Sequence, residues 1–335
     1  MTETIERSLK EVLYHDVEYV QPPFLKEGDE VALISPAYWM AEETILHAAA
    51  VIENWGLRPV IGPNTTCLNV EAYAGTADER AADLRWAFEN ERIKAVICTR
   101  GGYGSIHLLN RIPPEFYQQH PKWLIGHGDI TTLLYALTGA GVMCIHGPMA
   151  SHIGSHQDLS TTLIRDLLFG KLPQYQIPTN ANNRYGHAEG ILVGGNLASY
   201  AAIAGTKFQL SHNQDIILFI EECEESLHDI DRLFYMLQLQ LNFKNVKGII
   251  FGSFNSIRYD LSFGSVEQML VAHLQGYDIP VCCGFPAGSD ISLPMIEGAP
   301  CSLDVTPEGS VLTFNIHGTQ QSCVVEKSEP FLMKA

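Results

Sequence analysis

Two strand-to-helix turns and one strand end hold the residues whose types could do chemistry. The first turn is Gly126-His127-Gly128-Asp129, between the strand-like Trp123-Leu124-Ile125 and a helix predicted from Ile130 to about Leu137. A side chain on such a turn stands at the head of a helix, which is the geometry of a nucleophile elbow. Gly128 has no side chain to attack with. Read alone, the segment is a tight turn with Asp129 as helix N-cap. The second turn is Arg100-Gly101-Gly102-Tyr103-Gly104, after the strand Ala95-Val96-Ile97-Cys98 and before a helix restarting at Ser105. Its glycines let backbone amides approach a ligand, and a helix start favours anionic groups. It lacks both the Walker and the dinucleotide spacing. Glu221 ends an apolar strand and opens the acidic run Glu221-Glu222-Cys223-Glu224-Glu225. A carboxylate on the last strand residue is the one of that run expected to face a pocket. His152 and His156 have a metal-ligand spacing, but Gly154 between them argues for a loop.

The elements that must position these residues alternate. Glu30–Pro36 reads as a buried strand stopped by proline, Glu42–Trp55 as a helix, and Leu57–Ile61 as a second strand. Thr76-Ala77-Asp78-Glu79 is a capping box opening a helix to about Asn90. Strands alternating with helices imply βαβ units, a parallel sheet, and ligands at the carboxyl ends of its strands. Polar, loop-forming residues dominate from Gln174 to Gly190. The prediction is an α/β protein: a parallel-sheet, flavodoxin- or Rossmann-like N-terminal domain followed by a second domain. The boundaries are 1–170 and 186–335, with 171–185 as linker. In the second domain a Gly194-Gly195-Asn196 turn precedes a helix around 197–204, then a strand Ile216–Glu221. Ser226–Asp229 caps the next helix, Val246–Phe251 and Ile279–Cys283 are further strands, and 300–325 alternates like short antiparallel strands.

Composition narrows the class. The 335 residues are 46% hydrophobic and 18% charged, which excludes a wholly disordered chain. The net charge of −17 disfavours nucleic acid, whose phosphates need clustered Lys and Arg. No apolar run approaches a membrane span and no targeting signal is visible, so a cytoplasmic protein without membrane attachment is expected. The eight cysteines form no CxxC pair and read as buried structural thiols. No metal site and no cofactor motif is recognisable.

The segments together resemble the LD-carboxypeptidases, the muramoyl-tetrapeptide carboxypeptidases with the related microcin C immunity peptidases. The resemblance rests on Gly28-Asp29 into Ser35-Pro36, Ala74-Gly75-Thr76 with Arg80 and Asp83-Leu84, Arg100–Gly104 and Gly126–Thr131. It continues, in family order, through His146-Gly147-Pro148-Met149, Gly190 with Gly194–Leu197, Gly205-Thr206, Ile230-Asp231-Arg232 and Phe285-Pro286-Ala287-Gly288. It implies that the second, C-terminal domain is smaller and β-rich. It also implies a cleft between the two domains, a homodimer, and a Ser-Glu-His triad that cuts the amide before a terminal residue. On that pattern Gly128 takes the nucleophile's place, Glu221 matches the Glu, and Ser289 stands where the His should be. The oxyanion and ligand contacts would fall to Gly101, Gly102, Tyr103, Asp129, Arg100 and Asn196.

Covalent acyl transfer needs a nucleophile within reach of a base, so triad catalysis is expected to be lost. The leading expectation is a non-hydrolytic relative that binds a peptide-like or amino-acyl small molecule in the cleft. One alternative is a repurposed enzyme, a lyase, cyclase or isomerase of a biosynthetic pathway, in which His127, Asp129, Glu221 and Asp290 supply acid–base chemistry. The other is residual hydrolysis through water on Glu221, or through Ser105 or Ser289.

Overall fold

The computed structural model describes residues 18–68, 72–154, 159–203, 206, 208, 214–241, 243–258, 264–288 and 292–325. Strands β1 (Glu30–Ile34), β2 (Arg58–Ile61), β3 (Ile93–Cys98), β4 (Trp123–Gly126) and β5 (Cys144–His146) are parallel neighbours in the order β5-β4-β3-β1-β2. Their near-continuous apolar sequences suit strands covered on both faces. Alternate residues of β1 serve opposite faces: Ala32 and Ile34 enter one core, Val31 and Leu33 the other. The covering helices include α1 (Glu42–Asn54), α2 (Ala77–Glu89), α3 (Pro114–Gln119), α4 (Thr131–Gly139) and α5 (Leu159–Leu168). The predicted capping box is formed at α2, where Thr76 Oγ1 accepts from Glu79 N and the Glu79 carboxylate accepts from Thr76 N.

The second sheet contains β6 (Lys171–Pro178), β7 (Gly186–Asn196), β8 (Ile216–Cys223), β9 (Val246–Asn255) and β10 (Val281–Cys283). β11 (Met295–Glu297) leaves it and pairs antiparallel with β5, extending the first sheet. β12 (Pro300–Thr306), β13 (Gly309–Phe314) and β14 (Thr319–Val324) return to the second, whose order is β10-β9-β8-β7-β12-β13-β6-β14. β7 to β10 are parallel, joined by crossovers that include α6 (Leu197–Ile203), α7 (Leu227–Leu241) and α8 (Val266–Ala272). Each apolar core draws residues from both sheets, so the halves pack as one body.

Three expectations are corrected here. The stretch 171–185 is not all linker: Lys171–Pro178 is a strand, with the alternate residues Pro173, Tyr175 and Ile177 buried. The glutamines between them cross-link strands, Gln174 Nε2 donating to Thr313 Oγ1 at 3.0 Å and Gln176 Nε2 to Ser322 Oγ at 3.0 Å. The 300–325 stretch forms the antiparallel pair β12–β13, but β14 runs parallel to β6. Gly194 to Asn196 is the end of β7, not a free turn. Of the eight cysteines, Cys67 is exposed and Cys223 half-buried, and the other six are buried as free thiols. Among the described residues no helix is long and apolar enough to cross a membrane.

Gly194 shows why β7 and β8 can lie so close. Its φ is +149°, and a Cβ there would sit 1.7 Å from the Phe219 carbonyl oxygen. A backbone obstacle cannot rotate away. Gly194→Ala is therefore expected to lower unfolding stability by about 3 kcal/mol or more, read from the denaturant midpoint. An unchanged midpoint would mean the β7–β8 approach is looser than described.

Candidate active site at the meeting of the two halves

The strand-to-helix turn at Gly126–Asp129 is present, with no side chain at Gly128. β4 ends at Gly126, where a Cβ would meet Ile130 Cγ2 at 2.6 Å, so only glycine admits the following turn. His127 is extended, Gly128 adopts φ +59°, and one 3-10 turn over Gly128–Ile130 runs into α4. The left-handed backbone is the strained conformation of a nucleophile elbow. A Cβ on Gly128 would meet nothing within 4 Å. The position thus has room for a side chain that this sequence does not supply.

The Arg100–Gly104 loop lies against that turn. A Cβ on Gly101 would come within 3.3 Å of His127 O and 3.5 Å of Asp129 N. Asp129 does not cap its own helix, contrary to expectation. Its Oδ2 accepts from Ser105 N at 2.8 Å, and its carbonyl accepts from Ser105 Oγ at 2.6 Å. A carboxylate already held by a backbone amide is a poor free acid or base, and Ser105, so engaged, is a poor nucleophile. Buried Arg80 braces the loop from below, donating to Pro36 O at 2.8 Å and Gly104 O at 2.9 Å. Above it, Tyr38 packs against Gly102, where a Cβ would fall 2.4 Å from Cδ2 of the ring. Tyr103 is half exposed and packs near Tyr73 and His107. The exposed Arg100 guanidinium lies 5.7 Å from the centre of the Tyr38 ring.

Strand ends of the second sheet close the site. Asn196 ends β7, and its register partner Glu221 lies two residues before the end of β8, which runs on to Cys223 rather than stopping at Glu221 as expected. Asn196 N donates to Thr131 Oγ1, at the start of α4, at 3.0 Å. The Asn196 side chain is held in place: its Nδ2 donates to Glu222 Oε1 at 2.6 Å and its Oδ1 accepts from Ser199 N at 3.0 Å. Glu222 also accepts from Ala198 N and Cys223 N. Burial pushes its carboxyl up to about 7 despite these hydrogen bonds.

Glu221 points elsewhere. It is fully buried, and its Oε1 lies 3.7 Å from Nε2 of the equally buried His146, at the end of β5. His146 packs edge-on against Phe219 and His127, with ring centres 5.0 and 5.9 Å away. Burial, reinforced by the neighbouring His146 and His152, holds His127 well below the usual histidine range, so it is a neutral imidazole. The turn before Ser289 also touches this group: a Cβ on Gly288 would lie 3.3 Å from Glu221 Oε2. Ser289, Asp290, His156 and Gly205 lie outside the described residues.

The structure therefore brings together Gly128, His127, Gly101 and Asp129 around the elbow, and Glu221 with His146. It commits Asp129 and Asn196 to structural bonds. Sequence reasoning missed His146 as a chemical group, although it lies inside a motif that carried the resemblance. Its signal was a histidine at the carboxyl end of a strand, where open sheets build sites. Among the described residues no group of three or more His, Cys, Asp or Glu is arranged to hold a metal. Two surface grooves of about 480 and 390 Å³ lie apart from the elbow, one beside Glu189 and Asp215, the other beside Arg184 and Gln268. Neither is lined by these unpartnered buried groups.

Glu222 yields a stability test. Its folded carboxyl is raised above the ordinary glutamate value, so between that value and about 7 the folded state binds more protons than the unfolded one. Its contribution to stability must then fall as pH rises through that window. Glu222→Gln removes this dependence. Relative to the variant, the native protein should lose at most about 3 kcal/mol between about pH 5 and 8, read from unfolding midpoints. Parallel pH profiles would contradict the assignment.

Comparison with known proteins bears on the family and the fold. Residues 31–147 match the LD-carboxypeptidase N-terminal domain and residues 189–303 the LD-carboxypeptidase C-terminal domain. A Synechocystis protein assigned as a carboxypeptidase is 32% identical, over 81% of this chain and 89% of its own. A Bacillus subtilis protein assigned as a murein peptide carboxypeptidase is 29% identical, over 87% and 94%. The solved structure of the Escherichia coli microcin C7 self-immunity protein MccF with aspartyl sulfamoyl adenosine superimposes with a TM-score of 0.76. That pair is 24% identical and covers 91% of this chain and all of the other, a likeness of fold. With both domain models matched in order and this level of identity, the chain belongs to the LD-carboxypeptidase family.

Proposed function

We propose that this chain is a non-hydrolytic LD-carboxypeptidase relative that binds a peptide-like or amino-acyl small molecule beside the elbow. The carrying observation is Gly128: it keeps φ +59°, has open space around it, and offers no atom to attack with. An acyl-enzyme needs such an atom next to a base. What surrounds it is consistent with retained binding. The Gly101 backbone lies against the turn, and Arg100 is exposed beside it. The MccF complex with an aminoacyl nucleotide analogue supports an amino-acyl ligand for this fold. In serine proteases, binding and the oxyanion hole alone retain roughly 10³–10⁴-fold acceleration once the triad is gone, so slow turnover is compatible with a binding role.

A second reading is favoured by one observation. Glu221 and His146 form a buried carboxylate–imidazole pair, 3.7 Å apart, beside the elbow. Such a pair can remove and return a proton without a covalent intermediate. This supports a lyase, cyclase or isomerase on an amino-acid-derived molecule, with His146 in the role first assigned to Asp129.

Calorimetry with an L,D-tetrapeptide muropeptide and with an aminoacyl sulfamoyl nucleoside separates these readings from a protein without a ligand site. Saturable binding of one ligand, with no free D-alanine by mass spectrometry, is expected. Absence of binding to both would remove the proposal, and rapid D-alanine release would replace it with hydrolysis. Gly128→Ser combined with Ser289→His should restore measurable D-alanine release. Continued inactivity of a folded double variant would mean that the elbow does not stand where a triad needs it.

A further inference from the structure

The buried polar groups of this site continue past the Glu221–His146 pair in a line that reaches the surface. Glu221 and His146 have no exposure, and His127 is buried behind them. Next to His127 stands His152, ring centres 5.0 Å apart and planes crossing at 70°. His152 is exposed, with its Nδ1 2.9 Å from Ser151 Oγ. A carboxylate and three imidazoles therefore succeed one another from the interior to solvent. Chance burial does not account for the polarity of this line. Both oxygens of Glu221 and both ring nitrogens of His146 and His127 have no hydrogen-bond partner in the protein. These six atoms are half of the twelve such atoms among the described residues, gathered in one place. Buried polar atoms almost always find a partner, and polar sites with several converging groups hold internal water.

We propose that Glu221, His146, His127 and His152 form a proton relay, bridged by internal water, from the buried carboxylate to solvent. It rests on the acid–base reading of the site and adds its supply line. The balance is simple. A proton taken up by the Glu221 carboxylate passes to His146, giving a neutral carboxylic acid back its charge and forming an imidazolium. His146 releases a proton from its other nitrogen through water to His127, which passes one on to His152 and bulk solvent. Each imidazole accepts at one nitrogen and donates from the other, so no oxidant or co-reactant is needed. Ring rotation or reverse passage restores the starting tautomers. His127, held neutral by its burial, cannot trap the proton on its way. Asp129 and Glu222 flank the line but are engaged with Ser105 and Asn196, which leaves the imidazoles as its carriers.

The test needs no substrate. Full-length protein labelled with nitrogen-15 in histidine is examined by NMR for the tautomers of each ring and for exchange of ring N–H protons with water. In the native protein His146 and His127 should exchange rapidly although both are buried. His127→Phe preserves an edge-on ring but interrupts the line, and should slow exchange at His146 by an order of magnitude. His152→Phe, at the exposed end of the line, should slow it in the same direction in protein whose unfolding midpoint is unchanged. Ring protons of His146 and His127 that persist for hours in native protein would overturn the relay. So would rapid exchange at His146 unaffected by either substitution. A relay detected in a protein that turns over no substrate would support this inference and count only against the acid–base reading.

Discussion

The arrangement depends on one contact, the seating of the start of α4 against the end of β7. Thr131 Oγ1 accepts from Asn196 N, and a Cβ on Gly195 would fall 2.7 Å from that same oxygen. A larger residue than glycine at 195 would push the two sheets apart. Because β7 and β8 are in register, fixing Asn196 also fixes Glu221. Because α4 begins directly after the elbow, the same contact fixes Gly128 relative to both. The continuous apolar cores and the crossing of β11 back to β5 hold the halves at this distance.

Within that frame, the turn between β4 and α4 carries glycine at its left-handed position, Gly128. That turn is inexpensive for glycine and costly for other residues. The supporting bonds remain: Arg80 under the loop, Ser105 on Asp129, Glu222 on Asn196 and α6. These bonds give shape to the site and hold the side chains of Asp129 and Asn196 in place. The chemical capacity left over is concentrated in Glu221, His146 and His127, whose polar atoms the fold leaves unpartnered.

Much of this was legible in the residues. Local rules placed the capping box at Thr76, the buried β1 and β3, and the turn after β4, because each depends on nearest neighbours in sequence; β8 was expected to end at Glu221 but continues to Cys223 through pairing with β9. The family resemblance directed attention to Gly128 and Glu221. What was not legible depends on register between distant strands. His146 meets Glu221 only because β5 sits beside β4 and β8 ends above it, a relation no local spacing encodes. The same holds for Asp129, which looked like a cap until Ser105, 24 residues earlier, proved to be its partner. β6 was misread because Gln174 and Gln176 look like loop residues, yet they face a neighbouring strand with Tyr175 and Ile177 buried between and beside them.

The central claim is that the elbow presents no nucleophile while the site around it is intact. Intact-protein mass spectrometry after treatment with a fluorophosphonate, which labels activated serines, tests it most directly. The account predicts no adduct on the native protein. A stoichiometric adduct on any serine of the site, Ser289 included, would contradict it.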